Sequence, residues 1–229
     1  MDNIVGRLQS YFSPHQFDVI IGSLLGDARL ECRSIGFKHP ITARFRVHHG
    51  EKQKDYVFWK YEILKDFVLK EPKESVWENP KRSLHEVSWY FHTKSLREFG
   101  MLHHLFYSDG VKILPENIFN LLTPRAIAVW FMDDGSNNGE NLTISTHSFS
   151  YDEQTCIADF FKNRYGITPT VVKDRTKFKL AISRHDYARF LDIVRPFVIP
   201  SMNYKIVYPR NDLSPSATEL ENVMLSSSS

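Results

Sequence analysis

The chain has 229 residues, enough for one or two domains that bury a core unaided, and its apolar and charged fractions, 42% and 24%, are ordinary for a globular protein. A formal net charge of +2 excludes the uniformly basic profile of a nucleic-acid coat, so any polyanion must be met by local strips of charge. Two isolated cysteines, Cys32 and Cys156, exclude a disulfide framework or cysteine-built zinc site; with no secretory core and no apolar run near ~18 residues, an intracellular protein without a membrane segment is predicted, in cytoplasm, nucleoid or organelle matrix.

In chain order, residues 1–16 read as an N-terminal arm. Ser13-Pro14 opens a helix predicted over Pro14 to Asp27, with Gly22 and Gly26 four apart on one face. A glycine inside a helix costs about 1 kcal/mol against alanine, so these two predict the close approach of another backbone. The predicted partner is a second helix from Thr123-Pro124 to Asp134. After Asp27 the period changes to two. Residues 29–39 and 42–49 predict a hairpin turning near His39-Pro40, with Arg44, Arg46 and His48 on one face and Phe45 and Val47 on the other. A helix over 52–69 carries the stripe Tyr56, Trp59, Ile63 and Phe67. Strands at 74–78 and 86–92 follow, then a helix from Ser95 to Phe106 and a turn at Ser108-Asp109-Gly110.

The second half repeats this order. After the loop Asn137-Asn138-Gly139 come a strand at 141–147, a helix at 152–165, a hairpin of 169–174 and 177–183, and a helix at 185–195. Each half therefore reads α-β-β-α-β-β-α, an α+β fold with units at 17–122 and 123–209. The Ser-rich stretch 210–229 has the composition of a disordered tail. Basic charge gathers in two strips: residues 29–54 hold seven Lys or Arg against two acids, and 173–184 hold five against one.

Two stretches stand out, Ile20-Ile21-Gly22-Ser23-Leu24-Leu25-Gly26-Asp27-Ala28 and Ile127-Ala128-Val129-Trp130-Phe131-Met132-Asp133-Asp134-Gly135. Each is an apolar helical segment that runs into an acid. Folding gains nothing from a carboxylate at the C-terminal end of a buried helix, where the macrodipole is already negative. Two such ends predict a duplicated unit whose acids meet and share a cation. The stretches resemble degenerate LAGLIDADG motifs, the signature of a homing endonuclease family, with Asp27 and Asp134 in place of the motif's last Asp. The first copy keeps Gly22 and Gly26; the second departs, with Val129 and Asp133 there. Lys112-Ile113-Leu114-Pro115 and the run Arg195-Pro196-Phe197-Val198-Ile199-Pro200 before Tyr204-Lys205-Ile206 add a repeated feature at nearly the same interval. The whole resembles the single-chain, two-repeat LAGLIDADG enzymes of the omega-intron type over roughly residues 17–208.

That resemblance implies two pseudo-symmetric αββαββα repeats forming a saddle of antiparallel sheets over double-stranded DNA. It also implies a monomer that needs no protein partner and cuts both strands of a long asymmetric site to mobilise its intron or host element. Phosphodiester hydrolysis needs an activated water and charge neutralisation, which carboxylate-held Mg²⁺ supplies. Mn²⁺ is expected to substitute, and Ca²⁺ to support binding without cleavage. Asp27 and Asp134 are the candidate ligands. Gly26 and Asp133 join them through backbone carbonyls by resemblance, while the Asp133 side chain stays open between an outer role and a plain helix end. Lys112 and Lys205, at the family's central lysine positions, are candidate stabilisers of developing charge. Candidates for DNA contact are the outward strand residues Arg29, Arg33, Arg44, Arg46, His48, Ser88, Tyr90 and His92 in the first half and Thr143, Ser145, His147, Lys177 and Lys179 in the second, together with Asn137 and Asn138 of the loop and Lys173 and Arg175 of the second basic strip. The adjacent pairs His48-His49 and His103-His104 show no ligand spacing, and His49 is read as a surface or core residue. A splicing maturase that binds RNA and a silent DNA-binding protein remain alternatives on the same scaffold.

Overall fold

The computed structural model describes residues 2–32, 40–79 and 84–207. Arg33, most of the predicted turn near His39 and the stretch 210–229 lie outside them. The elements are α1 (Asp2–Tyr11), α2 (Pro14–Leu25), β1 (Arg29–Glu31), β2 (Arg44–Gly50), α3 (Lys54–Leu64), β3 (Lys73–Asn79), β4 (Leu84–His92) and α4 (Arg97–Phe106), then the short hairpin β5 (Tyr107–Ser108) and β6 (Val111–Lys112). The second half holds α5 (Pro124–Asp134), β7 (Gly135–Asn137), β8 (Leu142–Ile144), α6 (Tyr151–Tyr165), β9 (Thr170–Asp174), β10 (Lys177–Ile182) and α7 (Arg184–Val194). The sheets run β1-β2-β4-β3 and β7-β8-β10-β9, all antiparallel, so both halves share one topology. The α+β class and the repeated α-β-β-α-β-β-α order agree with the sequence.

The two motif helices are the axis of the molecule. Ser13 and Gln16 form a capping box at the start of α2, with Pro14 in the first turn, and the Thr123 hydroxyl caps α5 at the Ala126 amide. Both helices are buried on every side, from Phe17 to Leu25 and from Ala126 to Asp133. A helix apolar all round has no solvent face, so it belongs between layers. A Cβ at Gly22 would lie 2.4 Å from the Ala126 carbonyl oxygen, and one at Gly26 would lie 2.5 Å from the Asp133 Cβ. The glycines thus permit the close approach expected of them. The contacts advance together along both chains, so α2 and α5 run the same way and their C-terminal ends arrive side by side.

Two expectations need correction. The N-terminal arm is a helix: Leu8 and Phe12, one turn apart, are buried, and Phe12 packs against Phe67 and Phe99. Such an i, i+4 pair gives even a polar helix one face to dock. The first motif helix stops at Leu25, not Asp27, with Gly26 as its cap at φ −94°, ψ −133°. Of the first predicted strand, 29–39, Arg29–Glu31 form strand and residues 33–39 lie outside the described residues.

Candidate catalytic centre and nucleic-acid interface

Asp27 lies two residues past the end of α2, and Asp134 is the last residue of α5, so the paired helices bring the two acids to one place. Burial first, then the Asp133 carboxylate, pushes the Asp27 carboxyl up to about 6. Burial, followed by Asp27 and then Asp133, pushes Asp134 up to about 8. Crowded carboxylates in a recess are an electrostatic debt that a cation would cancel. Lys112 arrives on the β5–β6 hairpin, whose turn Asp109-Gly110 has both residues at positive φ, 49° and 78°. Its ammonium donates to the carbonyls of Gly26 at 2.9 Å and Ala28 at 3.1 Å. Lys205, at the end of a short 3-10 helix at Pro200–Lys205, donates to the Asp133 carbonyl at 2.9 Å. The carbonyl before each motif acid is therefore held by its own lysine. Burial pulls both ammonium groups below the usual lysine range.

The Asp133 side chain has a role of its own. It is fully enclosed: its Oδ1 accepts from the buried Lys60 ammonium at 2.7 Å, and its Oδ2 accepts the Asp27 amide at 3.2 Å. His49 completes the group, with Nδ1 3.5 Å from Asp27 Oδ2 and Nε2 3.8 Å from Asp133 Oδ1. One donor atom each from Asp27, His49 and Asp133 lies within 4.8 Å of the others, a spacing suited to a cation. Burial, then Lys60, lowers His49 to about 4, so its imidazole is neutral at neutral pH, with Nε2 3.4 Å from the Lys60 ammonium. The Asp133 carboxylate is thus neither a bare helix end nor idle. Sequence reasoning missed His49 and Lys60. His49 shares the inward parity of Phe45 and Val47, and Lys60 stands between buried Tyr56 and Leu64 at four-residue steps. A polar group on an apolar stripe was the available signal.

The first sheet assembles its predicted residues into one surface. Arg29 faces Arg46, Arg46 faces His92 and His48 faces Tyr90 across the ladders. Arg46 lies over the Tyr90 ring at 5.2 Å, and the Ser88 hydroxyl is 2.8 Å from His48 Nε2. The exposed Lys73 and Trp77 on β3 extend this face, since Lys73 pairs with Tyr90; strand parity was the signal for them too. In the second sheet Thr143, Lys177 and Lys179 share a face, with Ser145 and His147 continuing the parity of Thr143 past the end of β8. Lys173 does not: it pairs with Phe178 and so points to the opposite side, because a one-residue step reverses the face. Arg175 turns the hairpin at φ 57°. Asn137 donates to the Tyr187 hydroxyl at 2.8 Å, and the Asn138 side-chain oxygen accepts the amides of Glu140 and Asn141, so both asparagines shape their own loop.

The chain is similar to known proteins in sequence and in fold. The chain is 31% identical over 208 residues to DNA endonuclease I-ChuI of Chlamydomonas applanata, covering 83% of this chain and 94% of that one. It is 27% identical over 217 residues to the cytochrome b mRNA maturase bI2 of Saccharomyces cerevisiae, covering 90% of this chain and about half (49%) of that protein. The fold superposes on the homing endonuclease I-WcaI bound to its DNA recognition sequence with a TM-score of 0.77 at 22% identity, over 89% of this chain and 92% of that one. No described helix is long and apolar enough to cross a membrane. With residues 17–190 matching the family as a whole, the chain belongs to the LAGLIDADG DNA endonuclease family.

Proposed function

We propose that this protein is a site-specific homing endonuclease that makes metal-dependent double-strand breaks in a long, asymmetric DNA target. The observation that carries this reading is the meeting of Asp27 and Asp134 at the ends of two parallel helices, each beside a carbonyl held by a lysine. Carboxylates and carbonyls are hard oxygen donors, a set that favours Mg²⁺, with Mn²⁺ as substitute and Ca²⁺ supporting binding alone. When bound there, the metal neutralises phosphate charge and acidifies an attacking water.

The chain's own residues do the rest. Asp27 and Asp134 hold negative charge at two points, one for each strand. The Gly26 and Asp133 carbonyls stand beside them as further oxygen donors. Lys112 and Lys205, already desolvated, present compact positive charge toward the developing oxyanion. The two sheets, one from repeat 17–122 and one from repeat 123–209, lie along the duplex. Arg29, Arg44, Arg46, His48, Ser88, Tyr90 and His92 read one half-site, and Thr143, Ser145, His147, Lys177 and Lys179 read the other. Because these two sets are chemically unlike, the target is not a palindrome.

The test is selection of cleavable sites from a random DNA pool in Mg²⁺, followed by Asp27→Asn and Asp134→Asn. Each variant loses double-strand cleavage and keeps binding in Ca²⁺; wild-type cutting by either overturns its assignment. The likeness to an mRNA maturase favours a second, RNA-directed activity, which splicing of an intron transcript by the purified protein would reveal.

A further inference from the structure

The first sheet's basic face contains an anomaly. Among the arginines of β1 and β2, Arg29, Arg44 and Arg46, lies a carboxylate, Glu31, on the same side as all three. It accepts from Arg29 Nε at 2.8 Å, from Arg44 Nε at 2.9 Å and NH2 at 2.7 Å, and from Arg46 NH1 at 3.1 Å. The register explains the convergence: Glu31 faces Arg44 directly, Arg29 is two residues away on the same strand, and Arg46 is diagonal. Burial alone would raise Glu31, but the hydrogen bonds from Arg44, Arg46 and Arg29 outweigh it and hold the carboxyl at about 2, so it stays ionised throughout the physiological range. A surface meant only to attract phosphates gains nothing from such a group, which repels the backbone it approaches.

The second sheet repeats the device with other residues. Asp174 accepts from Lys179 at 3.0 Å and lies 3.1 Å from His147 Nε2. Each sheet face thus carries one carboxylate held by basic side chains.

We infer that Glu31 is a specificity-determining residue, fixing the guanidinium groups of Arg29, Arg44 and Arg46 on the sheet so that they read base edges instead of swinging onto phosphates. An unrestrained arginine has several rotamers from which to reach the nearest phosphate, and such contacts carry no sequence information. Pinned guanidiniums have already lost that freedom, so a guanine in register is bound with less ordering cost. The carboxylate also removes one unit of charge from the non-specific attraction. Asp174 does the same for Lys179 and His147 with fewer partners.

This inference rests on the reading that the sheet faces contact DNA, and the experiment separates the two. Base preferences are measured by selection from a random pool for the wild type, Glu31→Gln, Glu31→Asp, Arg44→Ala and Arg46→Ala. Affinity for a random-sequence duplex is measured across a salt series in Ca²⁺. Glu31→Gln broadens preference over a few adjacent base pairs, lowering discrimination there by about fivefold or more. It tightens random-duplex binding and steepens the salt dependence by about one unit. Glu31→Asp keeps the charge but reaches one carbon less far: its salt dependence stays at the wild-type value while its preference broadens. Should Glu31→Gln not fold, Glu31→Asp decides alone. Unchanged preference in the folded variants, with or without lost thermal stability, makes Glu31 a charge-balancing group of the fold and overturns the inference. If Arg44→Ala and Arg46→Ala change neither affinity nor preference, the DNA-facing reading fails and takes the inference with it.

Discussion

The two motif helices reach one place by unlike endings. α2 stops at Leu25, and Gly26 turns the chain so that Asp27 stands on a bend with 45% of its side chain exposed. α5 continues through Asp134 and lays the fully buried Asp133 carboxylate against the space that Gly26 leaves open. One half gave up a side chain where the other kept a charged one, and Lys60 of the first half compensates that charge. A shared backbone topology therefore does not require shared chemistry at its axis. Supports are traded across it: the Asp133 carboxylate of the second half fixes the amide of Asp27 in the first.

The strongest challenge to this comparison is removal of the acids one at a time. If both ends serve the same reaction in spite of their unlike surroundings, Asp27→Asn and Asp134→Asn each leave no detectable double-strand break in a gel assay. A product nicked in one strand by a single variant would show that the ends work independently. Replacing the lysines comes next. Lys112→Met and Lys205→Met slow cleavage by about 10²-fold or more each, measured in single turnover with saturating Mg²⁺. Lys112 holds two carbonyls and Lys205 one, so a larger loss for Lys112 sharpens the contrast.

Lys60→Met probes the asymmetric pair itself. It leaves a buried carboxylate uncompensated, at a cost of about 3–5 kcal/mol by urea unfolding. Adding Asp133→Ala to Lys60→Met recovers most of that loss; no recovery would mean the two side chains do not act as a pair. A smaller effect is expected one turn earlier, where α2 and α5 approach most closely. Gly22→Ala drives a methyl toward the Ala126 carbonyl and costs about 1–3 kcal/mol.

The pH dependence of stability follows from the crowding of acids. Asp27 and Asp134 bind protons more tightly folded than unfolded, with values raised from 3.8 to about 6 and about 8. Their contribution to the metal-free protein is thus complete below pH 3.8 and is lost as pH rises through about 6 and then about 8. Added Ca²⁺ should raise the melting temperature more at pH 8 than at pH 5, since it needs the deprotonated forms. An equal rise at both values would place the cation elsewhere.

Most elements could be seen in the sequence because each rests on local periodicity. The apolar motif helices, the alternating β2 and β4 and the Asp-Gly hairpin turn needed only their neighbours to be read. Lys112 and Lys205 could be found because the resemblance located them, and the structure puts both at the carbonyls beside the acids. What escaped depends on partners far along the chain. Lys60 meets Asp133 across 73 residues, and nothing in the sequence of α3 names that partner. His49 shows no ligand spacing in its pair with His48, yet its parity with Phe45 and Val47 places it inside. Lys173 stands in the basic strip 173–184, but one step of register puts it on the side opposite Lys177 and Lys179.

The pairing of Gly26 with Asp133 has a consequence for how such a molecule can be assembled from parts. Two copies of the N-terminal half, joined about the same axis, would set Gly26 opposite Gly26 and leave a gap where a side chain should be. Two copies of the C-terminal half would drive Asp133 into Asp133, bulk against bulk and charge against charge, with the lysine that neutralises it left behind on the missing half. Each half is thus cut to fit the other and unfit for itself, which makes the tandem arrangement self-enforcing and sets the first condition any chimera built from these halves must meet.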